Sequence, residues 1–390
     1  MPLKTEKKHV LVLAYSFLDR DPRVRRQLVA LRKKYRITAA GFTDPMLDGV
    51  DFIQIGTDEK WSTWRQLFRL NKIFKRLQLY QLIYWDAQKK LDLARLKEGG
   101  CYDAVLANDV DTLPVAFALV GKKRVLADVH EYSPRQFTDN PLWIKTRQPM
   151  LTFLCRHYLG KAEKITTVCE SIAREYEREF KTRPIDVLRN CAPYYDLNPQ
   201  QHQEKLRIIH HGISSPSRKI ENMIKVMDFV DNRFTLDLML VNTSDAYYAF
   251  LQKEVEKRKN VRLIDPVSVE DIIPFSNAYD IGFFLAEAIT YNLKVTLPNK
   301  IFEFIQARLA LAVGVSIEMR NLVDKHQCGV GLLSVDPQKN ADVLNALTAE
   351  DIAEFKKNSN SAAKEESFEN ERAKLFKILD PIVDGLDSSC

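Results

Sequence analysis

The sequence predicts an α/β protein with two doubly wound domains facing each other across a cleft. Short apolar runs rich in β-branched residues alternate with helical stretches along most of the chain, a pattern typical of parallel sheets built from βαβ units. The alternation stops once, at residues 190–199, which hold two prolines and two asparagines, and then restarts. A length of 390 residues also exceeds one core of ordinary size.

The first half contains six predicted strands, and Asp21-Pro22 starts the helix that follows the first of them. The strands are 9–15, 35–42, 51–56, 103–109, 123–129 and 164–169. A long helical region covers 61–97. This half forms the predicted N-terminal domain, residues 1–195, which ends at a hinge over 196–204.

The second half repeats the plan over residues 205–364. Its predicted strands are 206–212, 235–241, 260–265, 279–285 and 309–315. Pro298 opens a helix at Asn299, because proline is suited to the first turn. Residues 365–390 are predicted to form a C-terminal helix that returns to the N-terminal domain.

Composition places the protein among ordinary globular ones. Hydrophobic residues make up 45% and charged residues 28% of the chain, and no apolar run approaches the roughly 18 residues of a membrane span. The start of the chain is too charged for a signal peptide, so a cytoplasmic location is expected. Six scattered cysteines without a CxxC pair predict reduced thiols and no zinc site. The chain has no GxGxxG after the first strand and no P-loop, which disfavours dehydrogenases and P-loop enzymes.

Several polar residues lie where parallel strands end, the edge at which such sheets bind ligands. Lys300 and Glu303 share one face of the helix that starts at Asn299, and this pair suits a phosphate and a vicinal diol. Gly212 allows a turn, and Arg218 follows it near a helix start. His130 ends another strand and suits a hydroxyl or a proton near neutral pH.

Asp109 and Asp111 end a neighbouring strand. An N-cap role for Asp111 is favoured over a metal pair, since no further ligands are near in sequence. The same residue types also occur as solvated helix starts and structural loop residues, so the individual motifs leave that interpretation open.

Taken together, these segments resemble the GT-B glycosyltransferases of family 4, which are retaining nucleotide-sugar transferases with two Rossmann-like domains. The resemblance covers about residues 9–330 and rests on eight segments in the family's order: DPRVRRQLVALRK, NDVDTLP, ADVHEYSP, TTVCESIAREY, VLRNC, HHGISSPSRKIE, YDIGFFL and LPNKIFEFIQA. It implies a hexosyl-type transfer from a nucleotide-diphosphate sugar. The acceptor is expected to be a lipid-linked sugar or a polysaccharide, an expectation that rests on the basic stretch of residues 61–97.

The resemblance also implies roles for single residues. Arg218 and Lys300 would bind the diphosphate, with Gly212 beside them. Glu303 would bind the ribose, and the backbone at Val267 would meet the base. His130 would contact the donor sugar as the catalytic residue, and the loop with Asp21 and Arg23 would form the acceptor side. No metal and no cofactor are expected, because basic groups would stabilise the leaving phosphate.

The sequence departs from the family pattern at two positions that flank the segment LPNKIFEFIQA. Val295 occupies the position of a second glutamate that is common in the family, and Arg308 replaces a turn glycine. The residues between 287 and 296, where the sugar would be recognised, are therefore left without an assignment.

The region 61–97 is strongly basic, with nine Lys or Arg against two Asp. Aromatic residues and leucines alternate with the basic ones, which predicts peripheral contact with an anionic membrane at its inner face. A core helix with a solvated basic face is the alternative, and nucleic acid is disfavoured because no binding module accompanies the stretch.

Two other functions fit the same fold. One is a nucleotide-sugar epimerase or hydrolase. The other is a catalytically silent GT-B scaffold or activator, an interpretation that the departures at Val295 and Arg308 support.

Overall fold

The computed structural model describes residues 7–56, 79–201 and 205–385. These residues form two compact units. Unit 1 comprises Met1–Leu188 and Arg372–Cys390, and unit 2 comprises Arg189–Glu371. Each unit is built on one parallel sheet, as the alternation of strands and helices predicts.

Unit 1 has a seven-stranded sheet in the order β3-β2-β1-β4-β5-β6-β7, with parallel neighbours throughout. Its strands are β1 (His9–Ala14), β2 (Arg36–Gly41), β3 (Val50–Gln54), β4 (Ala104–Asn108), β5 (Val125–Val129), β6 (Lys164–Thr167) and β7 (Asp186–Val187). Its described helices before Leu188 are α1 (Pro22–Leu31), α2 (Tyr80–Tyr84), α3 (Ala87–Glu98), α4 (Leu113–Val120), α5 (Pro141–Thr146), α6 (Gln148–Tyr158) and α7 (Glu170–Phe180).

Unit 2 has a six-stranded parallel sheet in the order β10-β9-β8-β11-β12-β13. Its strands are β8 (Leu206–Ser214), β9 (Phe234–Asn242), β10 (Val261–Ile264), β11 (Ile281–Phe284), β12 (Ala310–Val313) and β13 (Gly329–Gly331). Its helices are α8 (Ile220–Val226), α9 (Asp245–Glu256), α10 (Ile272–Ser276), α11 (Tyr291–Lys294), α12 (Asn299–Gln306), α13 (Ile317–His326), α14 (Pro337–Asn345) and α15 (Ala349–Ala362). The last helix, α16 (Phe368–Asp384), begins in unit 2 and continues in unit 1.

The strand order reverses between β1 and β4 in unit 1 and between β8 and β11 in unit 2. At such a point the loops after the strands diverge and leave room for a ligand at the carboxyl edge of the sheet. All of the residues in β1 and in β4 are buried, as expected for parallel strands covered by helices on both faces. The two reversals are therefore where functional side chains are expected.

The end of α16 belongs to the core of unit 1. Leu375, Leu379 and Ile382 are buried there together with residues of α1, β1 and β2. Their spacing of four and three residues places them on one face of the helix. Lys34 Nζ lies 2.6 Å from Asp380 Oδ2, and Tyr35 also hydrogen-bonds to Asp380. The C-terminal segment is therefore an integral part of unit 1.

The eleven predicted strands are confirmed, each with both ends within two residues of the prediction, and α12 begins at Asn299 as predicted. The sequence missed β7 and β13, which are two and three residues long. Four described cysteines, Cys155, Cys169, Cys191 and Cys328, are free and buried, as the prediction of reduced thiols expects. Among the described residues, none forms a helix long and apolar enough to cross a membrane.

Candidate functional site

In unit 2, the candidate residues of β8 and α12 lie against each other. Gly212 is near the end of β8 with a φ of 146°. A Cβ at this position would lie 2.7 Å from Lys300 Cε and 2.9 Å from Lys300 Nζ. Glycine is favoured here because L side chains rarely adopt this φ, and a side chain would also move the end of Lys300. The absence of a side chain lets the Lys300 amine rest directly on the β8 backbone.

The Lys300 amine forms no hydrogen bond or ion pair with a residue in the described part of the chain. It lies 5.9 Å from the ring centre of Phe284, at the end of β11. Burial lowers the pKa of Lys300, and Glu303 opposes that shift. No side chain caps the N-terminus of α12. Its third amide, that of Ile301, donates to Pro298 O at 3.1 Å, while the amides of Asn299 and Lys300 have no partner among the described residues. A lysine at an uncapped helix start is an arrangement that attracts an anion.

Glu303 follows Lys300 by one helical turn and adjoins a histidine that sequence reasoning did not select. His211 Nε2 lies 3.5 Å from Glu303 Oε2, longer than a good hydrogen bond. Burial and the charge of Lys300 hold the pKa of His211 well below its ordinary value. The neutral imidazole therefore places no positive charge beside the Glu303 carboxylate.

Arg218 lies in the short turn Pro216–Arg218 between β8 and α8. It is exposed, and its guanidinium has no hydrogen bond or ion pair with any described residue. Its charge contributes to lowering the pKa of Lys300, after burial. The predicted pair of cations therefore lies at the same edge of the unit 2 sheet.

Val267 is half-buried in the loop after β10. In the sheet order, β9 separates β10 from β8. The predicted contact of this loop with a base stays a prediction.

In unit 1, His130 follows β5 and is surrounded by oxygen atoms. Its backbone N–H donates to Asp109 Oδ1 at 3.0 Å. Its ring atom Nε2 lies 3.0 Å from Asn108 Oδ1 and 3.2 Å from Asp128 Oδ2. Its ring atom Nδ1 lies 3.7 Å from Asp109 Oδ2. The ring is therefore held between the ends of β4 and β5.

Asp128 carries a buried ion pair beneath His130. Arg23 Nη2 and Nε donate to its two oxygens at 2.6 and 2.7 Å, and Gln27 Nε2 and Thr166 Oγ1 add hydrogen bonds of 2.6 and 2.7 Å. Burial alone would raise the pKa of Asp128, but the Arg23 guanidinium and His130 outweigh it and hold that pKa well below its usual range. The carboxylate is charged at every ordinary pH.

The two predicted acceptor-side residues have protein partners in this structure. Asp21 caps α1 by accepting hydrogen bonds from the amides of Arg23 and Val24, and Ser16 donates to its other oxygen at 2.9 Å. Arg23 is 7% exposed, and its remaining nitrogen Nη1 donates to Leu188 O at 2.9 Å. Arg23 binds Asp128, which in turn lies against His130, so its geometry is that of a positioning residue.

Asp109 was placed at a strand end by the sequence, but no role in the site was predicted for it. It has φ 64° and ψ 161°, a conformation that non-glycine residues adopt at a cost of about 1–3 kcal/mol. Asp111 lies inside the turn Val110–Thr112 and caps no helix, so the N-cap prediction for it is wrong. Asp109 and His130 each lie at the end of a predicted strand in the sequence, and this shared position is the signal that could have indicated their proximity. The strained backbone of Asp109 has no such signal.

The two departures from the family pattern are both buried. Val295 is 3% exposed and follows α11. Arg308 adopts a φ of 61° and is fully buried. Its guanidinium donates to Asn360 Oδ1, Gln306 O and Tyr195 O at 2.6 to 2.7 Å. Arg308 therefore keeps the left-handed turn and anchors the segment around Tyr195 to unit 2.

One cluster of His, Asp, Glu or Cys in the described residues is tight enough to suggest a metal. His326, Glu365 and Glu366 have ligand atoms within 4.8 Å of one another. However, Lys325 Nζ lies 2.5 Å from Glu365 and Arg189 Nη1 lies 2.7 Å from Glu366. Two cations already neutralise these carboxylates, so the cluster is an ion-pair network and not a cradle for a cation.

No family model and no curated protein matches this chain. Solved structures match it over nearly its whole length. WaaG, a glycosyltransferase involved in lipopolysaccharide biosynthesis, has 12% identity and a TM-score of 0.66, covering 95% of this chain and 99% of that one. HepE from Anabaena in complex with UDP-glucose has 15% identity and a TM-score of 0.67, with coverages of 95% and 99%.

A third structure is the α,α-trehalose 6-phosphate synthase of Burkholderia multivorans, with 11% identity, a TM-score of 0.66 and coverages of 97% and 99%. At such identities a structural likeness shows the fold alone. The two parallel sheets with their strand orders agree with it, and the prediction of fold is confirmed. The chain has the GT-B fold of these glycosyltransferases, with two Rossmann-like units.

Proposed function

We propose that the protein is a retaining glycosyltransferase that moves a sugar from a nucleotide-diphosphate donor to a glycan or lipid-linked acceptor without a metal. The observation that carries the proposal is the unpartnered Lys300 amine resting on Gly212, with Glu303 one turn further along α12. A GT-B fold adds support, because neighbours of that fold are bound to UDP and UDP-glucose.

The diphosphate of the donor fits the positive edge of unit 2. Lys300 supplies one charge, Arg218 supplies another, and the N-terminus of α12 supplies free N–H groups with the positive end of the helix dipole. Charge-assisted hydrogen bonds to phosphate contribute about 1.5–3 kcal/mol each. The proposed contact for the leaving group is therefore the Lys300 and Arg218 pair.

The ribose of the donor fits Glu303. A carboxylate accepts hydrogen bonds from two adjacent hydroxyls, and the neutral His211 beside it adds no competing positive charge. Glu303 follows Lys300 by three residues, so a ligand held by both runs along the first turn of α12.

In the proposed transfer, the bond between the anomeric carbon and the leaving phosphate oxygen breaks as the acceptor oxygen bonds to the same carbon. The acceptor proton passes to the leaving phosphate on the same face of the sugar. Lys300 and Arg218 stabilise the negative charge that develops on that phosphate. This chemistry needs neither a protein nucleophile nor a metal, and His130 contacts the sugar as a hydrogen-bonding group.

The acceptor is proposed to be a glycan or a lipid-linked sugar of a polysaccharide pathway. The neighbour WaaG is involved in lipopolysaccharide biosynthesis, which supports this class. Peripheral contact with an anionic membrane was predicted for 61–97, of which 61–78 lies outside the described residues. Within the described remainder, Leu82 on α2 is 61% exposed, and Leu91 is 45% exposed on α3, the helix that also carries the exposed residues Lys90, Arg95 and Lys97. Sedimentation with anionic liposomes at low salt tests this contact, and a protein that stays in the supernatant refutes it.

A thermal-shift panel of UDP, GDP, ADP and CMP tests the donor site, because a ligand that binds the folded state raises the apparent melting temperature. We expect one diphosphate to give a clear shift and Glu303→Ala to abolish it. If no nucleotide shifts the wild-type protein, the silent scaffold is favoured instead.

Product analysis with the matching nucleotide sugar separates the remaining alternatives. Transfer to an added acceptor supports the proposal, whereas conversion of the donor alone indicates an epimerase or hydrolase. NMR of the product reports the anomeric configuration, and inversion would contradict the retaining mechanism. Activity that disappears with a chelator and returns with a divalent cation would contradict metal independence.

A further inference from the structure

One edge of the His130 ring is fixed by two acceptors. Nε2 lies within hydrogen-bonding distance of Asn108 Oδ1 and Asp128 Oδ2. Asn108 is oriented by its Nδ2, which donates to Leu13 O at 3.4 Å, so its oxygen is the atom that faces the ring. Because carboxylate and amide oxygens only accept, Nε2 must carry a hydrogen. The proton that titrates is therefore the one on Nδ1.

The group that fixes this edge is itself fixed. Asp128 is fully buried and receives four hydrogen bonds from Arg23, Gln27 and Thr166. A bidentate Arg–carboxylate pair has little freedom to rotate. The position of the His130 ring is thus determined from α1, through Arg23 and Asp128.

The other edge of the ring is turned toward a more open environment. Nδ1 lies 3.7 Å from Asp109 Oδ2, close enough for an ion pair and too far for a hydrogen bond. The Asp109 side chain is 44% exposed, in contrast to Asp128 at 0%. Asp109 Oδ1 accepts the His130 backbone N–H, which ties this carboxylate to the same loop. Nδ1–H is therefore left to donate to a ligand.

We propose that His130 acts as an imidazolium held between Asp109 and Asp128, which donates its Nδ1–H to a substrate oxygen and does not act as a general base. Arg23 and Asp128 are positioning residues in this arrangement. The inference deepens the proposed sugar transfer and rests on it for the identity of the substrate oxygen. The protonation and tautomer of the ring follow from unit 1 alone.

The charged groups around the ring agree with the cationic form. Burial opposes the charge, but Asp109 and Asp128 outweigh it and raise the pKa of His130, against a smaller opposing effect of Arg23. Burial, followed by the repulsion of Asp111, raises the pKa of Asp109, while His130 opposes that shift.

Two further titratable groups whose pKa values Asp109 helps to raise lie on α6 and α7. Tyr176 on α7 and Cys155 on α6 both have their pKa values raised by burial, so both remain uncharged near neutral pH. The net charge facing the ring is negative.

The experiment is an NMR titration of the full protein with 15N-labelled histidine, in which His130 is assigned from the signal missing in His130→Gln. We expect a pKa above 6.5 and, at high pH, the pattern of an Nε2–H tautomer. Asp109→Asn should lower that pKa by about one unit. Asp111→Asn is the matched control, which removes a carboxylate from the same turn and should give a smaller shift.

A wild-type pKa below 6.5, or an Nδ1–H tautomer at high pH, overturns the proposal. So does an Asp109→Asn shift no larger than that of Asp111→Asn. Because Asp128→Asn leaves Arg23 buried and unpaired, the double variant Arg23→Met with Asp128→Asn serves as the folded test of positioning. It should lower kcat at least tenfold with little change in KM for the donor.

The pH profile of transfer provides the catalytic half of the test. If His130 is a donor, kcat falls as pH rises through the pKa measured by NMR; a rise over that range indicates a general base and overturns the proposal. The NMR measurement needs no substrate. If His130 titrates as expected but the protein transfers no sugar, the proposed function is refuted, whereas the proposed protonation of His130 is not.

Discussion

The two candidate clusters use charge in opposite ways. In unit 1, the charges of Arg23 and Asp128 are buried and hydrogen-bonded to the protein. In unit 2, Lys300 and Arg218 have no ion-pair partner in the described part of the chain, and α12 begins without a cap. A buried ion pair holds its side chains in one geometry, whereas a charge without a protein partner is stabilised when a ligand of opposite charge binds. Unit 1 is thus built to hold a group still, and unit 2 to receive an anion.

The largest effect is expected from breaking the buried pair. Arg23→Met leaves Asp128 buried without its cation, which should lower the free energy of unfolding of unit 1 by about 3–5 kcal/mol. The measurement is urea unfolding followed by tryptophan fluorescence, since the two tryptophans among the described residues, Trp85 and Trp143, both lie in unit 1.

The double variant Arg23→Met with Asp128→Asn should recover much of that loss, because no buried charge remains. Arg36→Met is the control: its pair with Asp51 is more than half exposed on both sides and should contribute at most about 1 kcal/mol. A double variant as unstable as Arg23→Met would contradict the ion-pair explanation.

In unit 2 the corresponding change should spare stability and remove binding. Lys300→Ala should weaken nucleoside diphosphate binding about 100-fold, from the loss of charge-assisted hydrogen bonds of about 1.5–3 kcal/mol, as measured by titration calorimetry. Lys294→Ala removes an exposed lysine from the neighbouring α11 and should bind normally. Equal affinities for the two variants would remove Lys300 from the phosphate site.

A smaller difference in the stability of unit 1 is expected between two variants of Asp109, because only one of them relieves the strained backbone. Asp109→Gly removes the carboxylate and the strain of about 1–3 kcal/mol, whereas Asp109→Asn removes the charge and keeps the strain. Unit 1 of the glycine variant should therefore unfold at higher urea concentration than that of the asparagine variant. The reverse order would show that the strain costs less than the hydrogen bond from the His130 amide, which the glycine variant loses and the asparagine variant keeps.

The smallest expected effect is on the pH dependence of the stability of unit 1. A folded pKa of His130 raised above its unfolded value contributes stability that is complete below about pH 6.5 and is lost as pH rises through the folded pKa. His130→Gln should remove that part of the dependence. Identical pH profiles for the wild type and the variant would contradict the raised pKa.

The sequence predicted well what depends on local patterns. Apolar runs identified the longer strands, and Pro298 identified the start of α12, because burial and capping act over a few residues. It missed β13, a three-residue strand with two glycines, whose formation depends on pairing with β12. It could not show the unusual φ values of Asp109 and Arg308, which the surrounding fold imposes.

The candidate clusters were predicted in part. Lys300 and Glu303 were chosen from one short motif and Gly212 from another, and the structure brings Lys300 against Gly212 with Glu303 one turn further along α12. Arg23 was assigned to the acceptor side, yet it pairs with Asp128, 105 residues further along the chain. Such a pair has no local signal in the sequence, since it depends on how α1 packs on the end of β5.

The most direct test of the account is calorimetric titration of the wild type, Lys300→Ala and Glu303→Ala with both inorganic pyrophosphate and the nucleoside diphosphate selected by thermal shift. We predict that Lys300→Ala weakens the binding of both ligands, whereas Glu303→Ala weakens only the nucleotide, because pyrophosphate has no ribose. If Glu303→Ala binds the nucleotide as tightly as the wild type, or if Lys300→Ala leaves pyrophosphate binding unchanged, the central claim about unit 2 is wrong.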